Sequence, residues 1–126
     1  MTAKKRVLIV DDEPAVGTLL AMCCEFWGLE PLVAHNGGEA LRLVEEQAPD
    51  LIVTDYMMPG MTGHEVCRRA RTNGRRDIPI IMMSAAPDAA RRECAADALL
   101  AKPLDLDEVE RTIREFLEPG EAPDRL

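Results

Sequence analysis

Apolar residues in this chain fall into short continuous runs that alternate with stretches of helical spacing. Residues 6–10, Arg-Val-Leu-Ile-Val, form the first run. A run this uninterrupted suits a strand buried on both faces of a parallel sheet. Pro14 then stands where the first turn of a helix needs no N–H. Val16, Leu19, Leu20, Cys23 and Trp27 recur at helical spacing and are read as that helix's inward face. Gly28 occupies the place of a C-terminal helix glycine.

The alternation repeats to the end of the chain. Residues 29–34 form a second strand, interrupted early by Pro31. Residues 37–48 carry Ala40, Leu41, Val44 and Ala48 at helical spacing, and Pro49 stops them. Leu51 to Thr54 form a third strand, and residues 62–73 a third helix with Val66, Cys67 and Ala70 inward. Residues 78–83 form the most apolar strand, which confines Pro79 to its start, where no ladder donor is lost. Residues 87–95 suggest a short helix, Ala98 to Ala101 a fifth strand, and residues 105–118 an amphipathic last helix. Five strands alternating with five helices predict an α/β fold with a parallel central sheet and right-handed crossovers. Residues 1–118 are read as one domain, and the polar, turn-rich 119–126 as a flexible tail or the start of a linker.

Composition narrows the function. With 3% aromatic residues the core must be aliphatic. A net charge of −8 opposes direct nucleic-acid binding, which needs clustered cations. The basic group Arg68, Arg69, Arg71, Arg75 and Arg76 is read as a solvated helix face, the other reading being contact with an acidic partner. Cys23, Cys24, Cys67 and Cys94 have neither metal-finger nor C-x-x-C spacing and are read as free thiols in a reducing compartment. No signal peptide and no apolar run near the ~20 residues of a membrane span is present, so membrane insertion is not expected and a cytoplasmic location is.

In a parallel sheet, ligands bind beyond the carboxyl ends of the strands. Here those ends read Asp11-Asp12-Glu13, Asp55, Ser84 and Lys102-Pro103. If the first and third strands are neighbours, three carboxylates converge. They would repel unless a cation compensates, and oxygen-only ligation points to a hard ion such as Mg²⁺. Taken singly, each residue has a plainer reading: acidic residues before a helix serve as N-caps, and a serine after a strand is a turn residue.

The runs Leu8-Ile9-Val10-Asp11-Asp12-Glu13, Thr54-Asp55-Tyr56-Met57-Met58-Pro59-Gly60-Met61-Thr62-Gly63, Met83-Ser84-Ala85 and Ala101-Lys102-Pro103 closely resemble the receiver domain of two-component response regulators. The resemblance covers Lys5 to Leu117. It implies a doubly wound, flavodoxin-like sheet of order 2-1-3-4-5. It further implies Asp55 as phosphoacceptor and Mg²⁺ (or Mn²⁺) held by Asp12, Asp55 and the Met57 backbone carbonyl, with Asp11 acting through a metal-bound water. Ser84 and the Ala85 N–H would bond phosphoryl oxygens, Lys102 would pair with another, and the Lys102–Pro103 bond would be cis. The implied partners are a histidine kinase or histidine phosphotransfer protein and a downstream protein target, with a homodimer also open.

Two departures stand out. The family's switch aromatic sits three residues before the lysine, where this chain has Leu99. The 18 positions from Ser84 to Lys102 (102 − 84) also fall about one helical turn short of the usual spacing. The fourth helix, within 87–96, is therefore expected to be shortened or irregular, and its order–disorder is a candidate replacement for the aromatic switch. His35 and His64 are read as surface or cap residues, and Tyr56 as solvent-exposed or gating the site. The leading function is a phosphoacceptor signalling switch rather than an enzyme, with output through protein contacts. The alternative is a phosphorylation-independent pseudo-receiver or scaffold. An aspartyl phosphohydrolase is disfavoured because position 57 is Met rather than a second acid.

Overall fold

The computed structural model describes residues 3–72, 77–87, 90 and 96–118. Five parallel strands, β1 (Arg6–Val10), β2 (Glu30–Ala34), β3 (Leu51–Asp55), β4 (Ile80–Ser84) and β5 (Ala98–Ala101), lie in the order β2-β1-β3-β4-β5. Among the described residues four helices connect or follow them: α1 (Pro14–Phe26), α2 (Gly37–Gln47), α3 (Gly63–Thr72) and α4 (Leu106–Leu117). Most of the helix expected over 87–96 lies outside the described residues, although Pro87 and Ala90 are helical. The tail 119–126, Arg75, Arg76 and Cys94 also lie outside them.

Side-chain alternation along the strands divides the core into two layers. Val7, Ile9, Val53, Ile81 and Met83 face Leu20 and Cys24 of α1 and Val109 and Ile113 of α4. Leu8, Val10, Ile52 and Ile80 face Ala40 and Val44 of α2 and Val66, Cys67 and Ala70 of α3. This double burial explains the unbroken apolar runs of the central strands. Pro31 is tolerated because β2 is an edge strand, and Pro79 precedes β4.

The helix ends use the expected local chemistry. Gly28, at φ 83°, follows the end of α1, and Ala48, at φ 46°, caps α2 just before Pro49. The Asn36 side chain accepts the Glu39 N–H at 2.8 Å, while the Glu39 carboxylate accepts the His35 N–H at 2.8 Å. Asp105 accepts the N–H groups of Asp107 and Glu108 at the start of α4.

The face of α1 departs from its sequence reading. Gly17, Leu20 and Cys24 are buried, whereas Leu19 is 47% exposed and Cys23 and Trp27 are only half-buried. A Cβ on Gly17 would lie 3.2 Å from Val33 Cγ1. The bare glycine therefore lets α1 approach β2 closely.

Candidate functional site

Parallel pairing places every strand's carboxyl end on one edge of the sheet. The register sets Val10 beside Thr54, Asp55 beside Met83, and Ser84 beside Ala101. Asp11, Asp55, Ser84 and Lys102 thus leave or end four adjacent strands at nearly one level. Two backbone bonds extend the ladder into the site, from Asp11 N–H to the Ala34 carbonyl (3.1 Å) and from Lys102 N–H to the Ser84 carbonyl (2.9 Å).

The polar groups converge. Carboxylate oxygens of Asp11, Asp12 and Asp55 lie within 4.8 Å of one another. The Lys102 ammonium sits 2.9 Å from Asp55 Oδ1 and 3.3 Å from Asp11 Oδ2. Asp11 is fully buried, and its Oδ1 accepts the Glu13 N–H at 2.9 Å. Asp12 is exposed, and Glu13, the N-cap residue of α1, makes no side-chain capping bond. The plainer N-cap reading of Glu13 is thereby set aside. An open cavity of about 350 Å³ is lined by Asp12, Glu13, Asp55, Met57, Ser84, Ala85, Ala86 and Lys102. The Lys102–Pro103 bond is cis.

Electrostatics follow from this crowding. Burial pushes the Asp55 carboxyl above the ordinary carboxylate range; Asp11 and Asp12 add to the rise, while the Lys102 hydrogen bond opposes it. Burial alone would lower the Lys102 ammonium, but its bonds and proximity to Asp55 and Asp11 outweigh this and hold it above its usual value. One ammonium facing three carboxylates leaves an excess of negative charge. The oxygen-only donor set and that excess both fit a hard divalent cation.

The backbone after Asp55 is tightly held. Thr54 Oγ1 donates to the Asp55 carbonyl at 3.0 Å, and the Gly63 N–H donates to the Tyr56 carbonyl at 2.8 Å. A Cβ on Gly63 would strike the Asp55 carbonyl oxygen and lie 2.6 Å from Met82 Sδ. Gly60 turns the loop at φ 85°. Across the site, Ser84 is buried, and its Oγ accepts the Ala86 N–H at 2.9 Å.

A family model for the response regulator receiver domain matches residues 7–114. The chain belongs to this family. Among curated relatives, the receiver is 39% identical over 95% of its length to a "probable transcriptional regulator ycf27" of Cyanophora paradoxa, covering 51% of that protein. It is 38% identical over 94% of its length to the response regulator MprA of Mycobacterium sp. strain KMS, covering 54% of it. The receiver thus spans about half the length of these relatives. The chemotaxis protein CheY4 of Vibrio cholerae superposes with a TM-score of 0.84 at 27% identity, over 90% of this chain and 99% of that one. TrrA of Thermotoga maritima, solved with Mg²⁺-BeF, superposes with a TM-score of 0.81 at 34% identity, over 89% and 98%. A receiver domain of a Pseudomonas aeruginosa sensor histidine kinase, solved with magnesium in its active site cleft, reaches 0.83 at 28%, over 90% and 98%.

Other sequence readings divide. Every site residue named from the sequence borders this cavity or, for Asp11, lies beside it bonded to Lys102. Tyr56, expected at the surface, is only 6% exposed and packs on Met82 and Ala90. It is not among the residues that line the cavity. Arg68 and Arg69 both bond Glu65 at 2.7 Å on an exposed helix face, and Arg69 first, then Arg68, holds the Glu65 carboxyl below its usual value. Arg71 instead reaches Asp97 at 2.7 Å, tying α3 to the start of β5. His35 is exposed, His64 is half-buried, and neither joins the carboxylate group. Among the described residues, Cys23, Cys24 and Cys67 are in no disulfide. Ala86 was missed as a lining residue; only its place two residues after the last residue of β4 could have signalled it. Among the described residues no helix is long and apolar enough to cross a membrane.

Proposed function

We propose that the receiver is a signalling switch that accepts a phosphoryl group on Asp55 from the phosphohistidine of a histidine kinase or histidine phosphotransfer protein. One observation carries this reading. The Asp55 carboxylate borders an open cavity, with two further carboxylates on one side and the Lys102 ammonium 2.9 Å away. An Asp55 oxygen attacks phosphorus, a P–O bond forms, and the P–N bond to the donor imidazole breaks, its electron pair remaining on nitrogen. Placement and charge neutralisation supply most of the rate in such transfers.

Asp11, Asp12, Asp55 and the Met57 backbone carbonyl are the residues that would hold Mg²⁺ or Mn²⁺, Asp11 through a water. Bound there, the cation would offset the repulsion between the carboxylate and the incoming phosphoryl oxygens. Lys102 exchanges part of its bond to Asp55 for a phosphoryl oxygen, and the Ser84 hydroxyl and Ala85 N–H bond the others. The resulting acyl phosphate is open to water, so the mark is temporary and the domain signals rather than turns over a substrate. Output runs through protein contacts, with residues 1–118 as the switching unit and 119–126 as tail or linker.

The test is incubation with Mg²⁺ and acetyl phosphate, read by intact mass. A gain of one phosphoryl group, lost in Asp55→Asn and on chelation of the metal, is expected. An unchanged mass, or an equal gain in Asp55→Asn, contradicts the reading.

A further inference from the structure

We infer, on the reading of Asp55 as phosphoacceptor, that Tyr56 is the coupling residue that carries the state of the site to the β5 edge of the sheet. Tyr56 follows the acceptor directly and is clamped on both sides. Its N–H donates to the Met83 carbonyl at 2.9 Å, and its carbonyl accepts the Gly63 N–H at 2.8 Å. A displacement of Asp55 is therefore passed to the Tyr56 backbone rather than absorbed by a loose loop.

The ring belongs to neither large core layer. It forms a small cluster with Met82 and Ala90, both fully buried, flanked by Ala96 and Leu99. Met82 is the sheet partner of Thr54 on one side and of Leu99 on the other. The cluster thus joins the residue after β3, strands β4 and β5, and Ala90. Leu99 supplies no ring there, and Tyr56 is the cluster's aromatic member.

A second link runs from the site to the same contact. Ser84 Oγ accepts the Ala86 N–H at 2.9 Å, and the Ala90 N–H donates to the Ala86 carbonyl at 3.1 Å. The buried serine at the end of β4 is therefore linked through Ala86 to Ala90, which belongs to the cluster. A phosphoryl group on Asp55 adds roughly −1.5 to −2 charges and three acceptor oxygens next to that hydroxyl. Reorienting Ser84 toward them disturbs the bond from Ala86, while the Asp55 backbone moves Tyr56. Both paths end at the Tyr56–Ala90 contact. Because close-packed side chains shift between discrete arrangements, the contact re-forms in a second packing rather than deforming smoothly.

The chain contains one tyrosine, so fluorotyrosine labelling gives a single fluorine NMR signal. The full chain is compared with and without Mg²⁺ and beryllium fluoride, alongside amide exchange at Ala90 and Leu99, with site loading followed separately as mass gain from acetyl phosphate. The ring signal is expected to move on loading. Tyr56→Leu is expected to keep its mass gain while the loading-dependent change in exchange falls several-fold, and Tyr56→Phe to transmit as the wild type does. A chain that loads with an unmoved ring signal overturns the inference and leaves the phosphoacceptor reading intact. So does a Tyr56→Leu variant that transmits fully; if that variant does not fold, the ring signal of the wild-type chain decides. A chain that never loads overturns both.

Discussion

Asp55 sits in its place at an electrostatic cost. Its carboxyl is raised by burial first and then by Asp11 and Asp12, with Lys102 giving partial relief. A carboxyl raised above its unfolded value of about 3.9 favours folding while protonated. That contribution is complete below the unfolded value and is lost as pH rises through the folded one. At pH 7, without metal, the buried Asp55 carboxyl therefore weakens the fold relative to a neutral side chain. Asp55→Asn should raise the melting temperature of the metal-free protein at pH 7, and the gain should vanish toward pH 3; a lower melting temperature at pH 7 contradicts this. Gly63 is the reverse case, a residue whose lack of a side chain is essential. Gly63→Ala drives a methyl into the Asp55 carbonyl and should cost about 1–3 kcal/mol in urea unfolding. At this scale the acidic residues and Lys102 were legible in the sequence because charged groups that end apolar strands have few structural uses. Tyr56 was not, because an aromatic beside a polar motif gives no sign of which way it turns.

The elements show a similar division. The strands were readable, since runs of Val, Leu, Ile and Met without polar breaks need cover on both faces, whereas their order came with the resemblance to the receiver family. The rotation of α1 was not. Periodicity weighs side chains, whereas one of the buried positions of α1 is Gly17, which has none. The outcome can be measured. Leu20→Ala should cost about 2–5 kcal/mol by the cavity it leaves, and Leu19→Ala should stay within about 0.5 kcal/mol. Equal costs would return Leu19 to the inward face. The same rotation buries Cys24, where desolvation pushes the thiol up to about 12, while Cys23 stays half-buried with a smaller rise. The two neighbours should therefore differ in alkylation rate in the folded protein, with Cys23 the faster.

For the whole molecule, topology turns four separate strand ends into one site. A parallel sheet points its carboxyl ends one way, so residues as distant as Asp11 and Lys102 meet within 3.3 Å. The sequence exposed that convergence but not the division of labour within it. Lys102 spans both Asp11 and Asp55, a sharing that only coordinates reveal. Because the cluster retains excess negative charge, Mg²⁺ at about 100 times its dissociation constant should stabilise the fold by about 2.7 kcal/mol, and less in Asp55→Asn; a melting temperature indifferent to Mg²⁺ contradicts a built cation site. The most direct test asks which of the three carboxylates carries the phosphoryl group. Borohydride reduction of the phosphorylated chain converts an aspartyl phosphate to homoserine, and tandem mass spectrometry of the peptides locates it. Homoserine at position 55 alone is the predicted result; homoserine at position 11 or 12, or none from a chain that has gained phosphoryl mass, would contradict it.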